Sequence, residues 1–122
     1  MSPITTARWT LILGTSFVFL YFGIEKFIHP DLWIGWMPEW MDGLMGLKNG
    51  VWMDITGVAE IVIGAVLLLP YRRVQRIASL FASLHLVAIL TQIGWNEIAV
   101  RDTGLLCMTM AVWYLTDKKA GY

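Results

Sequence analysis

The sequence predicts an all-α fold in which four antiparallel helices cross a membrane as one bundle. Four apolar stretches of about 18–20 residues fill most of the chain, and a helix of that length spans the ~30 Å hydrocarbon core of a bilayer. Charged residues make up only 15% of the chain, well below the share of about 25% in soluble domains. The stretches are apolar nearly all round, whereas helices of a soluble bundle keep one polar face.

The four stretches belong to a single domain that covers residues 1–122. The first ends at His29–Pro30, because proline disfavours helix in the residue before it. Single turns separate the last three, so these helices must be antiparallel neighbours. The predicted membrane helices cover approximately residues 9–28, 51–69, 77–95 and 98–115.

The segment 31–49 is too short and too interrupted to span a membrane, yet it is rich in tryptophan. Positions 33, 37, 40 and 44 share one face of a helix, and Pro38 is expected to divide that helix into two pieces. Tryptophan is enriched at the membrane–water interface. The pattern predicts an amphipathic segment that lies in the headgroup layer, and the alternative is a lid over a ligand cavity. The expected interfacial anchors are Trp33, Trp36 and Trp40.

Basic residues lie at alternate ends of the stretches, which indicates the orientation of the chain. Multi-pass membrane proteins carry an excess of lysine and arginine in their cytoplasmic loops. If four helices span, one side holds Arg8, Arg72, Arg73, Arg76, Lys118 and Lys119. The opposite side holds Lys26, Lys48 and Arg101. The sequence therefore predicts a multi-pass protein of the bacterial cytoplasmic (inner) membrane, with both termini in the cytoplasm.

Two ionisable side chains lie near the middle of predicted helices. Glu60 and His85 stand at similar distances on either side of the turn between the second and third helices, at a depth of about 15 Å. Such residues normally face the interior of a bundle, because a charge at the bilayer centre costs a few kcal/mol. Gly57 and Gly64 flank Glu60 and would let a neighbouring helix approach closely. We expect a Glu60–His85 contact, either as an interhelical hydrogen bond or as a site for a proton, a quinone headgroup or a small polar ligand.

A second polar layer is predicted nearer the outer surface. Its members lie where the four helices begin or end, and they share one depth: Lys26, Asp54, Gln92, Arg101 and Asp102. Two bases and two acids at one level predict a salt-bridge network. It either holds the outer half of the bundle together or forms a polar pocket roofed by the tryptophan segment.

Several classes of function are disfavoured. Zero formal net charge and the lack of a basic stripe argue against a nucleic-acid partner. No His, Cys, Asp or Glu cluster has the spacing of a metal site, and His29 and His85 lie at depths too different to ligate one haem. Cys107 is the only cysteine, which excludes an intrachain disulfide and a CxxC redox pair. We predict no metal and no resident cofactor, with a quinone as the alternative ligand.

Four segments carry a resemblance to a known family: RWTLILG, FGIEKFIHPDLW, GVAEIVIGAVLLLP followed by YRRVQRIA, and RDTGLL. Over nearly its full length the chain resembles the DoxX-like family of small four-helix membrane proteins. The glycine-x-x-lysine motif of that family matches Gly23 and Lys26, and its glutamate with a glycine four residues on matches Glu60 and Gly64. Members include a subunit of thiosulfate:quinone oxidoreductase and proteins tied to oxidative-stress complexes.

These observations predict an accessory or scaffold subunit of a membrane complex, possessing no autonomous enzyme activity. Its expected partners are the lipid bilayer and either further copies of itself or another membrane protein. The first alternative is a quinone-binding or oxidoreductase subunit of the thiosulfate:quinone oxidoreductase type, in which Glu60 and His85 touch the headgroup. The second is a small proton-coupled transporter. Small multidrug-resistance transporters carry a glutamate in the middle of their first helix, whereas here the first helix has no acidic residue before Glu25.

Overall fold

The computed structural model describes residues 1–117, and within that range the chain is helical and contains no strand. Four of its five α-helices are long and apolar enough to cross a membrane, which confirms the predicted all-α class and the four predicted spans. We number the helices in chain order. They are α1 (Pro3–Ile28), α2 (Pro30–Trp33), α3 (Asn49–Leu67), α4 (Arg72–Ile93) and α5 (Glu97–Leu115).

Two helices begin at least five residues earlier than the hydropathy pattern predicts. The first starts at Pro3 because Ser2 caps it: the Ser2 hydroxyl accepts a hydrogen bond from the Thr5 backbone N–H at 3.1 Å, and proline suits the first helical turn. Helix α4 starts at Arg72 instead of residue 77. Arginine is a good helix former, so the predicted arginine turn is the first part of α4.

The tryptophan segment differs from the amphipathic helix in two pieces that the sequence predicts. Only α2 is α-helical, and three 3₁₀ turns follow at residues 34–36, 39–41 and 44–46. Proline restricts the residue before it to extended backbone, and Met37 accordingly has φ −73° and ψ 130°. Gly43 (φ 86°) and Met45 (φ 53°) then take left-handed conformations. Positions 33, 37, 40 and 44 therefore do not share one helix face.

The core between the long helices is built in layers. One apolar layer takes a residue from each helix, and it consists of Ile12, Leu67, Ala78 and Val112. A second takes residues from three helices, and it consists of Phe19, Ala82, Leu86 and Leu105. Hydroxyl groups are also buried, including those of Thr15, Ser79 and Thr109. The Ser83 and Thr109 hydroxyls lie 2.7 Å apart and join α4 to α5.

Helices α1 and α3 make the most extensive helix–helix contact, and glycines permit it. A Cβ atom on Gly23 would lie 2.9 Å from the Gly57 carbonyl oxygen and 2.8 Å from Ile61 Cγ1. A Cβ atom on Gly64 would lie 2.8 Å from Leu20 Cγ. The close approach expected at Gly57 and Gly64 therefore occurs, and the partner is α1.

Large apolar side chains cover the outer surface of the long helices. Phe17, Phe81 and Leu84 are each more than half exposed, while Lys26, Glu60 and Asp102 are buried. This distribution is the reverse of that in a soluble protein, where charged residues are almost never fully buried. It fits helices that present their apolar sides to lipid and their polar side chains to one another.

The arginines at the start of α4 contact the end of α5. The Arg72 guanidinium donates a hydrogen bond to the Asp117 carbonyl at 2.6 Å, and Arg76 Nη1 lies 3.2 Å from Asp117 Oδ2. The Arg76 guanidinium also stacks over the Trp113 ring at 3.8 Å. These two helix ends thus lie together. The predicted basic residues Lys118 and Lys119 fall outside the described residues.

Candidate functional site

A cavity of about 320 Å³ lies between the tryptophan segment and the long helices. Each of α1, α3, α4 and α5 contributes to its wall, and Trp33, Trp36 and Trp40 contribute from the segment. Most of the surface is apolar, with side chains such as Phe22, Met53 and Leu105. Its ionisable and amide side chains are Lys26, Glu60, His85, Gln92, Arg101 and Asp102. Members of both polar layers that the sequence predicts thus border one cavity.

The inner part of the cavity wall carries an ion pair between the first two long helices. Lys26 Nζ of α1 lies 2.6 Å from Glu60 Oε1 of α3, and both side chains are about nine-tenths buried (11% and 8% exposed). His85 Nε2 of α4 lies 3.7 Å from the same oxygen. The sequence predicts Glu60 beside His85, whereas it assigns Lys26 to the outer layer. Glu60 therefore brings three helices to one point.

Lysine 26 has an aromatic neighbour as well as an acidic one. Its ammonium lies 4.6 Å from the centre of the Trp33 ring, within the range of a cation–π interaction. The Trp33 ring meets Phe22 edge-on, with the ring centres 5.3 Å apart. The Arg101 guanidinium in turn lies 4.2 Å over the Phe22 ring. Lys26 and Arg101 thus each lie over an aromatic ring. Phe22 contacts both the ring under Lys26 and the Arg101 guanidinium, so it links the two cations.

The second ion pair joins neighbours on α5. Arg101 Nε and Nη2 lie 2.9 Å and 2.8 Å from Asp102 Oδ1. The Asp102 side chain is 2% exposed and that of Arg101 is 33% exposed. Two donors on one carboxylate oxygen leave Asp102 Oδ2 without a hydrogen-bond partner within residues 1–117. This oxygen is therefore an unused acceptor in the cavity wall.

The tryptophan segment is attached to the helices by hydrogen bonds at several points. Trp40 Nε1 donates to Gln92 Oε1 of α4 at 2.9 Å. Asn49, the first residue of α3, donates its backbone N–H to Asp42 Oδ1 and its side-chain amide to the Pro38 carbonyl. The segment thus closes one side of the cavity through contacts with two helices.

Asp54 does not join the polar group to which the sequence assigns it. Its side chain is exposed, and within the described part of the chain it has no ion pair. The buried face of α3 follows Met53, Gly57, Glu60 and Gly64, and Asp54 is rotated about 100° from Met53 at 3.6 residues per turn. The outer residues form separate pairs, Lys26 with Glu60 and Arg101 with Asp102, in place of one continuous network.

The sequence did not single out Phe22 as a site residue. Phe22 precedes Lys26 by four positions, so both lie on one face of α1, and its ring contacts both Trp33 and Arg101. An aromatic residue one turn before a buried lysine was the available signal.

The wall can hold an amphipathic molecule. Its apolar and aromatic residues suit a hydrocarbon or ring system, while two carboxylates, two cations and a histidine offer hydrogen bonds and charge to a polar group. Within residues 1–117, no group of three His, Cys, Asp or Glu side chains is arranged to hold a metal ion. The cavity thus combines an apolar wall with charged and hydrogen-bonding side chains.

A comparison with protein families gives one match. The family model described as "Domain of unknown function (DUF8561)" matches residues 15–103, a span that contains every charged side chain of the cavity wall. No curated protein matches the chain, and no solved structure matches it.

Proposed function

The chain belongs to the DUF8561 family, and we propose that it is an inner-membrane protein that binds a lipid-soluble, quinone-like ligand beneath its tryptophan segment. In this proposal it acts as an accessory subunit of a redox-related membrane complex. The observation that carries the proposal is the cavity of about 320 Å³ beside Glu60. Ligand sites are commonly cavities of about 300–1,000 Å³ with mostly apolar walls and a few polar groups.

The membrane arrangement in the proposal is an antiparallel bundle of α1, α3, α4 and α5. The first core layer supports it, because that layer combines the early part of α1 and α4 with the late part of α3 and α5. The contact between Arg76 and Asp117 also supports it, since it joins the start of α4 to the end of α5. The arginine-rich end is then cytoplasmic, and the tryptophan segment lies at the outer headgroup layer as the roof of the cavity.

A quinone-like ligand suits both halves of the wall. Its ring and isoprenoid or alkyl tail would lie against Trp33, Trp36 and Leu105, which line the cavity. Its oxygens would lie within reach of the polar side chains, among them Lys26 and His85. A purely structural role for the Lys26–Glu60 pair would require only tight packing around it. The space beside the pair therefore favours ligand binding.

The accessory role rests on the sequence and on the resemblance to DoxX-like proteins. The chain has one cysteine and no dithiol pair, so we assign electron transfer to a partner protein. The exposed apolar surface of the long helices is available to lipid, to further copies of the chain or to that partner.

Binding of a short-chain quinone tests the proposal. The purified protein is placed in nanodiscs of phosphatidylcholine and titrated with 2-decyl-1,4-benzoquinone, with binding followed by quenching of tryptophan fluorescence. We expect saturable quenching, because three tryptophans line the cavity. Quenching that rises linearly with quinone in the bilayer, as for collisions in lipid, would contradict the proposal.

A matched pair of variants locates the site. Ala88→Trp places a large side chain at a position that lines the cavity and is expected to abolish saturable binding. Ala65→Trp adds the same side chain at an exposed position of α3 that does not line the cavity, and it should bind as the parent protein does. Mass spectrometry of protein purified from its native membrane would identify the bound molecule and any partner.

A further inference from the structure

The cavity wall carries a buried acceptor and a buried donor that no protein group uses. The acceptor is Asp102 Oδ2, and the donor is the Trp33 indole N–H; neither atom has a hydrogen-bond partner among the described residues. Leaving a buried polar group unpaired lowers stability, so each such group calls for an explanation. Four residues of the cavity wall contribute such atoms, namely Trp33, Glu60, His85 and Asp102. Glu60 Oε1 already lies beside Lys26 and His85, so Asp102 Oδ2 and the Trp33 N–H are the atoms that point to a ligand.

Trp33 and Asp102 both line the cavity, and a run of side-chain contacts links them. Trp33 contacts Phe22, Phe22 contacts Arg101, and Arg101 holds Asp102. This run of contacts joins the tryptophan segment to α5 through α1. The indole N–H and the carboxylate therefore belong to connected parts of the cavity wall.

Resting on the proposed function, we infer that the cavity selects headgroups that donate a hydrogen bond, namely the hydroxyl of a phenol or hydroquinone. An oxidised quinone has only acceptor oxygens and would leave Asp102 Oδ2 unpaired. A hydroxyl donates to Asp102 Oδ2, and its oxygen, or a second oxygen of the ring, accepts from Trp33. The terminal torsion of aspartate is soft, so a small rotation of the carboxylate presents Oδ2 to the ligand.

The charge balance of the wall favours a neutral headgroup. Lys26 is paired with Glu60 and Arg101 with Asp102, so neither cation remains unmatched. An anionic headgroup such as a fatty-acid carboxylate would compete with Glu60 or Asp102 for a cation. An uncharged hydroxyl adds a hydrogen bond to a charged acceptor, which is among the stronger kinds of hydrogen bond.

Two ligands that differ only in whether the ring oxygen carries a proton or a methyl group test this inference. 4-Nonylphenol and 4-nonylanisole have the same ring and tail, but the anisole oxygen cannot donate. Each is titrated into the wild-type protein in phosphatidylcholine nanodiscs at known mole fraction in the lipid, and binding is measured as the rise in the thermal unfolding midpoint. We expect the phenol to bind about tenfold or more tightly, which corresponds to about 1.4 kcal/mol.

The variant Asp102→Asn tests whether the Asp102 carboxylate causes the preference for the phenol. Arg101 would hold the asparagine carbonyl oxygen, so the amide N–H₂ would face the ligand and the preference for the phenol should disappear. Glu97→Gln is the matched control, because it neutralises an exposed carboxylate on the same helix; that variant should keep the wild-type preference.

The comparison of the two ligands does not depend on any variant folding. Equal affinities of phenol and anisole for the wild-type protein would overturn the inference while leaving ligand binding in the cavity intact. Binding of neither compound would overturn this inference, and the titration with 2-decyl-1,4-benzoquinone would then decide the proposed function separately.

Discussion

Lys26 and Glu60 form an ion pair across the contact between α1 and α3, with Nζ and Oε1 2.6 Å apart. The pair lies beside the glycine contact of the same two helices, where Gly23 meets the Gly57 backbone. Without Cβ atoms at these positions the helices come close enough for a lysine and a glutamate to meet inside the bundle. The glycines and the charges are therefore parts of one arrangement, and they form one side of the cavity.

We expect Glu60→Gln to destabilise the protein by about 3 kcal/mol, because removal of one partner leaves the other as an uncompensated buried charge. The double variant Lys26→Met/Glu60→Gln removes both charges and should recover most of the loss. Thermal unfolding in detergent measures both. Asp54→Asn is the control, since it neutralises an exposed carboxylate on the same helix and should leave the midpoint unchanged. A single Glu60 variant as stable as the double variant would show that the ion pair has no such role.

Arg101→Ala should lower the thermal midpoint more than Lys48→Ala. Asp102 is buried and depends on Arg101 for both of its hydrogen-bond donors, whereas Lys48 is exposed and makes no ion pair within the described range. Because Arg101 is one-third exposed, we expect a loss of about 1–3 kcal/mol, at the level of a hydrogen bond to a charged group. Equal midpoints for the two alanine variants would argue against a stabilising Arg101–Asp102 pair.

Gly23→Ala should destabilise the bundle by about 1–3 kcal/mol, the usual effect of overpacking. The added methyl group would meet a backbone oxygen at 2.9 Å, and backbone cannot move aside as a flexible side chain can. Gly104→Ala on α5 is the matched control, because no atom lies within 4 Å of its Cβ position and alanine is the better helix former. That control should be neutral or slightly more stable. A neutral Gly23→Ala would mean that the two helices do not pack this closely.

The helix spans could be read from the sequence because length and hydropathy determine them. Depth along the helices was also informative: the distances of Glu60 and His85 from the turn between them predict their proximity, and Nε2 lies 3.7 Å from Oε1. Depth does not determine which side of its helix a residue faces. Asp54 has the right depth for the outer layer but lies off the buried face of α3, and hydropathy alone does not identify that face where all sides are apolar.

The prediction that Lys26 belongs to the outer layer was wrong, because it did not consider the direction of the lysine side chain. In a helix the Cα–Cβ bond leans toward the N-terminus, so a long side chain near the end of α1 reaches back toward the middle. Lysine has four methylene groups, and its ammonium meets Glu60 instead of Asp54. Backbone depth is therefore a poor guide for lysine and arginine, and a better one for aspartate and histidine.

The tryptophan segment shows the limit of helical periodicity as a guide. Its apolar residues recur at helical spacing, but Pro38 and the left-handed residues at 43 and 45 interrupt the backbone. A continuous helix needs a backbone hydrogen bond at every residue. Apolar residues at helical spacing are therefore not sufficient to predict one. The glycines of the segment were a sign in the sequence that turns would replace a continuous helix, because glycine is common in turns.

The most direct test of the central claim, that the chain crosses the membrane four times and encloses its polar side chains, is the accessibility of single cysteines. In a Cys107→Ser background, Tyr71→Cys marks the turn before α4, while Met45→Cys and Trp95→Cys mark exposed positions at the other end. Intact cells are treated with a membrane-impermeant maleimide. Our account predicts that positions 45 and 95 react from outside and that position 71 reacts only after the membrane is permeabilised. Labelling of all three from the same side would contradict it.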